Sequence, residues 1–190
     1  MPPALGMALG LFLVVVGAAC RLVPHAPNAV PLVAITLFAA VRYPRKWAWI
    51  VPVLAMAVAD AVINARYGTV EGMLAVSLTI YATYLVIALV GGPISRKSRI
   101  GASVLGSTFF FLTTNAAVWA FQRNTGVGLT FADGPTGLLQ SYFAALPFYR
   151  NGLIADLIGT VVLFGAADLV TYLRPIVLAR RAQSSSLDLS

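Results

Sequence analysis

The sequence predicts an all-α integral membrane protein of six transmembrane helices with both termini cytoplasmic, and three observations lead there. Of the 190 residues, 59% are hydrophobic and 10% charged, against about 45–50% and about 25% in soluble domains. A domain of this length leaves much of its surface wet, so lipid must be the solvent for part of it. The apolar residues fall into six runs near the length that crosses a bilayer, and Lys and Arg gather in alternate gaps between them.

The six predicted spans are Ala4 to Cys20, Ala29 to Val41, Trp47 to Asn64, Met73 to Val90, Ile100 to Phe121 and Gly152 to Leu173. A hydrocarbon core about 30 Å thick takes about 20 helical residues. The second run is short and is framed by Pro31 and by Arg42 and Tyr43, so it must extend into its flanks or sit among other helices. A further apolar stretch, Gly137 to Tyr149, carries Gln140 and Pro147. That composition predicts an interfacial or re-entrant segment leading into the last span. The N-terminal run ends Gly17-Ala18-Ala19-Cys20, faintly like a lipoprotein cleavage site, but lacks the basic segment that precedes secretory signals. The chain divides into a single six-span domain over residues 1–181 and a Ser-rich tail over 182–190 that reads as disordered.

Orientation follows from the cations, because Lys and Arg in short loops stay on the cytoplasmic side. With the N-terminus inside, Arg42, Arg45, Lys46, Arg96, Lys97, Arg99, Arg174, Arg180 and Arg181 are cytoplasmic. Only Arg21, Arg66, Arg123 and Arg150 lie outside. The formal net charge of +7 is then a topology signal rather than a nucleic-acid footprint, since no aromatic-basic binding module accompanies it. One cysteine, Cys20, rules out an intrachain disulfide and a multi-cysteine metal site; neither a cofactor nor a metal is expected. With no Walker A loop in the chain, any ATP use must come from partner subunits.

This topology carries most of the unusual polar groups to the outer side. The loop after the first span, Arg21 to Asn28, holds a guanidinium, the imidazole of His25 and the Asn28 amide between two prolines that forbid helix continuity. Asp60 and Asn64 lie one turn apart on one helical face, Asn115 and Trp119 in the outer half of the fifth span, and Arg150, Asn151 and Asp156 around the outer start of the sixth. A carboxylate at membrane depth costs about 2.5–3.5 kcal/mol on insertion scales, so it has a partner or a task. Two readings of Asp60 and Asp156 stand open. In one, Asp60 pairs with Arg21 or Arg150 and locks helices together; in the other, Arg21, His25, Asn28, Asp60, Asn64, Asn115, Trp119, Arg150, Asn151 and Asp156 surround a small-molecule substrate. Asp168, near the inner end, is expected to pair with Arg174 or reach water. His25, the residue that titrates near neutrality, is either a loop-fixing group or, beside a carboxylate, an acid-base group of a small intramembrane enzyme. Ala4 and Ala8, with Gly6 and Gly10, form small-xxx-small spacings that permit close helix contact.

Several strings carry a resemblance: Arg21-Leu-Val-Pro24-His25-Ala-Pro27-Asn28 with Leu37-Phe38-Ala39, Val51-Pro52 before Asp60, Phe109-Phe110 before Thr114-Asn115 and Trp119, and Ala145-Leu146-Pro147-Phe148 before Arg150-Asn151 and Asp156. Over about Arg21 to Gly165 the chain resembles an uncharacterised family of small bacterial membrane proteins. It is similar in turn to the substrate-binding S components of energy-coupling-factor vitamin transporters. That resemblance implies a six-helix bundle in the bacterial inner membrane and a pocket near the outer face for a small, vitamin-like micronutrient. It also implies a coupling subunit with ATPases as partner, docked at Ala4 and Ala8. The chain departs from the family pattern at Ala29-Val30, where an aromatic and a hydroxyl residue are usual, and at Ala59, where serine is usual. It also lacks the pocket cysteine of related solitary cobalamin transporters and the Met-His start of the nickel and cobalt branch, which speaks against both substrates. A structural membrane protein without a ligand is the remaining alternative.

Overall fold

The structure, a computed structural model, describes residues 3–68, 73–122 and 131–187. Arg123 and residues 188–190 of the tail lie outside the described residues, as do the side chains of Arg180 and Arg181. Every regular element in the described residues is helical: α1 (Pro3–Leu22), α2 (Leu32–Arg42), α3 (Arg45–Ala48), α4 (Ile50–Tyr67), α5 (Met73–Lys97), α6 (Arg99–Gln122) and α7 (Gly134–Leu187). Five of them, all but α2 and the single turn α3, are long and apolar enough to cross a bilayer. Their outward faces are apolar, with Leu11 67%, Leu74 74%, Val161 62% and Val170 66% exposed. In water such surfaces would aggregate, whereas in lipid they are solvated.

The second expected span is a half-length helix. At 11 residues α2 is about 16 Å long, and Leu32 through Ala40 are all buried. A helix apolar on every face belongs inside a bundle, and one that never meets lipid need not match the bilayer's thickness. The five long helices surround it: α1 adjoins α4, α4 adjoins α5, α5 adjoins α6, and α6 adjoins α7, each also touching α2. Close approach depends on glycines. A Cβ on Gly92 of α5 would lie 2.7 Å from the Ala40 carbonyl oxygen, and one on Gly159 of α7 would lie 2.6 Å from the Pro31 Cβ. Around α2 the core gathers Leu13, Val51, Met56, Tyr84, Ile87 and Phe164.

The segment expected to be interfacial or re-entrant is instead the first part of α7, continuous with the last span. The apolar stretch of that helix, Gly134–Pro175, has 42 residues and is about 63 Å long, roughly twice a hydrocarbon core. One bilayer crossing therefore accounts for only part of it. Pro147 and Pro175 lie inside the helix; each removes one backbone donor without ending it. The helix backbone also runs on to Leu187, into the segment expected to be disordered.

Most of the cations collect at one end of the bundle, the basic end. There the Tyr43 hydroxyl donates to the Gly6 carbonyl near the start of α1 at 2.8 Å. Asp168 pairs with Arg99, not with Arg174, because α6 and α7 lie side by side. Arg99 also stands over the Phe164 ring at 4.9 Å, a cation-π contact.

Candidate functional site

At the opposite end the predicted polar residues form two clusters rather than one. The first joins α1, α4 and α5. Arg21 Nη2 lies 2.5 Å from Asp60 Oδ1, and the Tyr81 hydroxyl donates to Asp60 Oδ2 at 2.8 Å. The pair is partly open, each side chain 24% exposed. Tyr81 was not foreseen from the sequence, where it is one tyrosine of seven.

The second cluster is built on the start of α2. Pro31, at the N-cap position, offers no side-chain acceptor to the helix, leaving the first-turn amides in need of a partner. Asp156 of α7 supplies it across the bundle: its Oδ1 accepts from the Val33 amide at 3.0 Å and the Ala34 amide at 3.2 Å. These are the second and third helical positions, the ones a capping oxygen ordinarily serves. The carboxylate also faces the positive end of the α2 dipole. Its Oδ2 accepts from the Ser107 hydroxyl of α6 at 2.7 Å. Asp156 is 4% exposed, and these bonds make such burial tolerable. Ser107 also went unnoticed in the sequence; its signal is that Ser103, Ser107 and Thr114 recur at helical spacing in an otherwise apolar span.

Beside Asp156 lies a cleft of about 50 Å³, with Asn28, Ser107, Thr114, Asn115 and Tyr149 as its other polar residues and Phe110, Phe111 and Phe148 among its apolar ones. The 24–31 loop borders it. Asn28 adopts a positive φ of 60°, which asparagine tolerates better than most residues. The Asn151 amide donates to the Pro27 carbonyl at 3.1 Å, tying the loop to α7. A Cβ on Gly152 would stand 3.2 Å from the Asn28 carbonyl oxygen, so glycine permits this close approach. On the other side, Ser141 donates to the Asn115 carbonyl at 3.0 Å, Tyr142 to the Leu112 carbonyl at 3.0 Å, and Tyr149 shares a 2.8 Å bond with Thr108. Together these bonds fasten the first part of α7 to α6.

At the cleft, the Asn115 amide donates to the Phe111 carbonyl at 2.7 Å. The remaining predicted residues stand apart from it: the Trp119 indole donates to the Ala132 carbonyl at 3.1 Å. Asn64 and Arg150 are exposed. His25 Nδ1 lies 2.5 Å from the Val23 carbonyl, within a separate crevice bordered by Arg21, Arg66 and Tyr67. Asp60 bonds Arg21 and Tyr81, and Asp156 bonds Val33, Ala34 and Ser107, so neither carboxylate is held by His25. Ala4 and Ala8 are exposed on α1.

A bundle of long apolar helices around a buried half-length helix defines a polytopic protein of membrane type. More particularly, the chain belongs to the DUF6580 family, a family of unknown function whose model matches residues 4–178. No curated protein and no solved structure matches it significantly.

Proposed function

We propose that the chain is a membrane-embedded binding protein for a small polar solute, either the binding subunit of an importer or a solitary importer. One observation carries this reading: a buried carboxylate with spare acceptor capacity borders a polar cleft. Each carboxylate oxygen has about two acceptor positions. Oδ1 of Asp156 serves two amides, whereas Oδ2, among the described residues, serves only Ser107. The position left over suits a solute that donates a hydrogen bond or carries positive charge, with Phe110, Phe111 and Phe148 offering apolar surface around it. As it stands, the cleft of about 50 Å³ takes a few heavy atoms, against about 300–1,000 Å³ for a drug-sized ligand. A vitamin-like solute requires the 24–31 loop to lift from Asn151. The basic end faces the cytoplasm in this reading, as the cation distribution favours, and the cleft faces outward from a bacterial inner membrane. The sequence resemblance to energy-coupling-factor S components adds a coupling subunit with ATPases as partner.

A second reading is favoured by the capping geometry itself. Asp156 then serves only to terminate α2, and the protein is a structural membrane component. Native mass spectrometry of the detergent-purified protein from its source organism, together with Asp156→Asn, separates the two. Asparagine keeps an oxygen for the α2 amides but loses the charge. The binding reading expects a co-purifying solute that raises the thermal midpoint of the wild type and not of the variant. Protein that carries no solute, with a variant of unchanged behaviour, leaves the structural reading standing.

A further inference from the structure

At the basic end, far from the Asp156 cleft, a notch and a groove meet on the outer surface of α5. The notch, about 400 Å³, is bordered by Tyr43, Arg45, Leu89, Gly92 and Arg96. The groove, about 280 Å³, runs along α5 and α6 past Val86, Ile94, Leu105 and Phe109. Val90 borders both, so the two adjoin at that exposed side chain. We propose that they form one binding site for an anionic glycerophospholipid, the phosphate seated in the notch and an acyl chain lying in the groove.

The charge argument comes first. Arg45 and Arg96 are exposed, and the ion pairs of the described residues engage only Arg21 and Arg99. Among the described residues, no acidic side chain borders the notch. Two guanidiniums without an anionic partner at one opening suit a phosphodiester, which each can hold through paired N–H donors. A backbone feature adds an acceptor: Pro93 lies inside α5 and has no N–H to give the carbonyl four residues earlier, which belongs to Leu89 at the notch. That carbonyl suits a headgroup hydroxyl, so phosphatidylglycerol fits better than a headgroup without a donor.

Length and shape come next. From Arg96 back to Val86 the α5 axis descends about 15 Å, close to the hydrocarbon depth of one leaflet, half of about 30 Å. Val86, Val90 and Ile94 recur at four-residue spacing and are 41%, 47% and 39% exposed, giving a continuous apolar strip below the cations. Gly91 and Gly106 border the groove with their Cα faces turned to α2, where a Cβ on Gly91 would lie 2.4 Å from Leu37 Cδ2. A Cβ on Gly106 would meet Val33 Cγ1 at 2.7 Å, so packing against α2 keeps that position small. A basic recess between membrane helices is the ordinary form of an anionic-lipid site.

The test is native mass spectrometry of the full chain, titrated with phosphatidylglycerol or with phosphatidylcholine of the same acyl chains. The expected result is one phosphatidylglycerol held at least tenfold more tightly than phosphatidylcholine. Arg45→Gln with Arg96→Gln should reduce that preference to less than threefold. The paired Lys substitutions should retain most of it, and Lys97→Gln, a cation outside the notch, should leave it unchanged. Equal binding of the two lipids by the wild type, a measurement independent of any variant, overturns the proposal. So does a glutamine pair that keeps full selectivity while its thermal midpoint matches the wild type. Displacement of the lipid by glycerol 3-phosphate at equal concentration overturns it as well, since the notch would then be an anion site that makes no use of the groove.

Discussion

Asp60 and Asp156 are both carboxylates within the helical bundle, and their surroundings separate them completely. Asp60 has an arginine and a phenol as partners and stays partly open to solvent. Asp156 has two backbone amides and one hydroxyl as partners, with no cation among its hydrogen-bond donors, and is buried. Asp60 therefore belongs to an ion pair that can exchange its partners for water at little cost. Asp156 completes the start of a helix whose amides have nowhere else to turn. The more obvious acidic residue, the one with an arginine beside it, is thus the less consequential of the two.

Substitutions sharpen that contrast in order of size. Asp156→Ala should have the largest effect, about 3 kcal/mol, because it leaves two amides and the Ser107 hydroxyl buried without an acceptor. A fall in thermal midpoint or in resistance to denaturant would show it, and a loss below about 1 kcal/mol would break the comparison. Ser107→Ala should cost about 1 kcal/mol, since it removes one donor and leaves the carboxylate its amides. Asp60→Ala should cost about 0.5–1 kcal/mol, as partly exposed ion pairs do. Raising the salt concentration should shrink the difference between Asp60→Ala and wild type, while the Asp156→Ala difference stays constant. His25→Ala should change stability by less than about 0.5 kcal/mol, the range of exposed positions. Loss of solute uptake in that variant would instead give His25 a role that its exposed position does not suggest.

Much of the bundle was readable because lipid leaves little choice: a run such as Met73 to Val90 can only be a helix buried in apolar surroundings. The places that were not readable share a cause. Hydropathy reports how apolar a residue's neighbours are, not whether they are lipid or protein. Ala29 to Val41 therefore reads as a short span that either extends into its flanks or sits among other helices, and the burial of Leu32 to Ala40 answers for the second. Gln140 and Pro147 read as a break before the last span, yet the α6 contacts of Ser141, Tyr142 and Tyr149 hold that segment in line as helix. For the site, topology grouped the polar residues at one end, but a count of spans gives no order around the bundle. Asp60 and Asp156 seemed to share a site only while that order was unknown. Since α4 adjoins α1 and α5, while α7 adjoins α6 and α2, their carboxylates face different partners. Ser107 and Tyr81 escaped notice because a single hydroxyl in an apolar helix usually bonds its own backbone, as Thr79 and Thr108 do here.

The continuity of α7 has a mechanical consequence. Tyr149, Gly152 and Asp156 border the cleft, and Asp168, three turns further along the same helix, grips Arg99 at the other end of α6. A hydrogen-bonded helix is far stiffer along its axis than the loops between helices. Asp156 and Asp168 therefore ride on one stiff element, so the cleft and the Arg99 ion pair share a single rigid support.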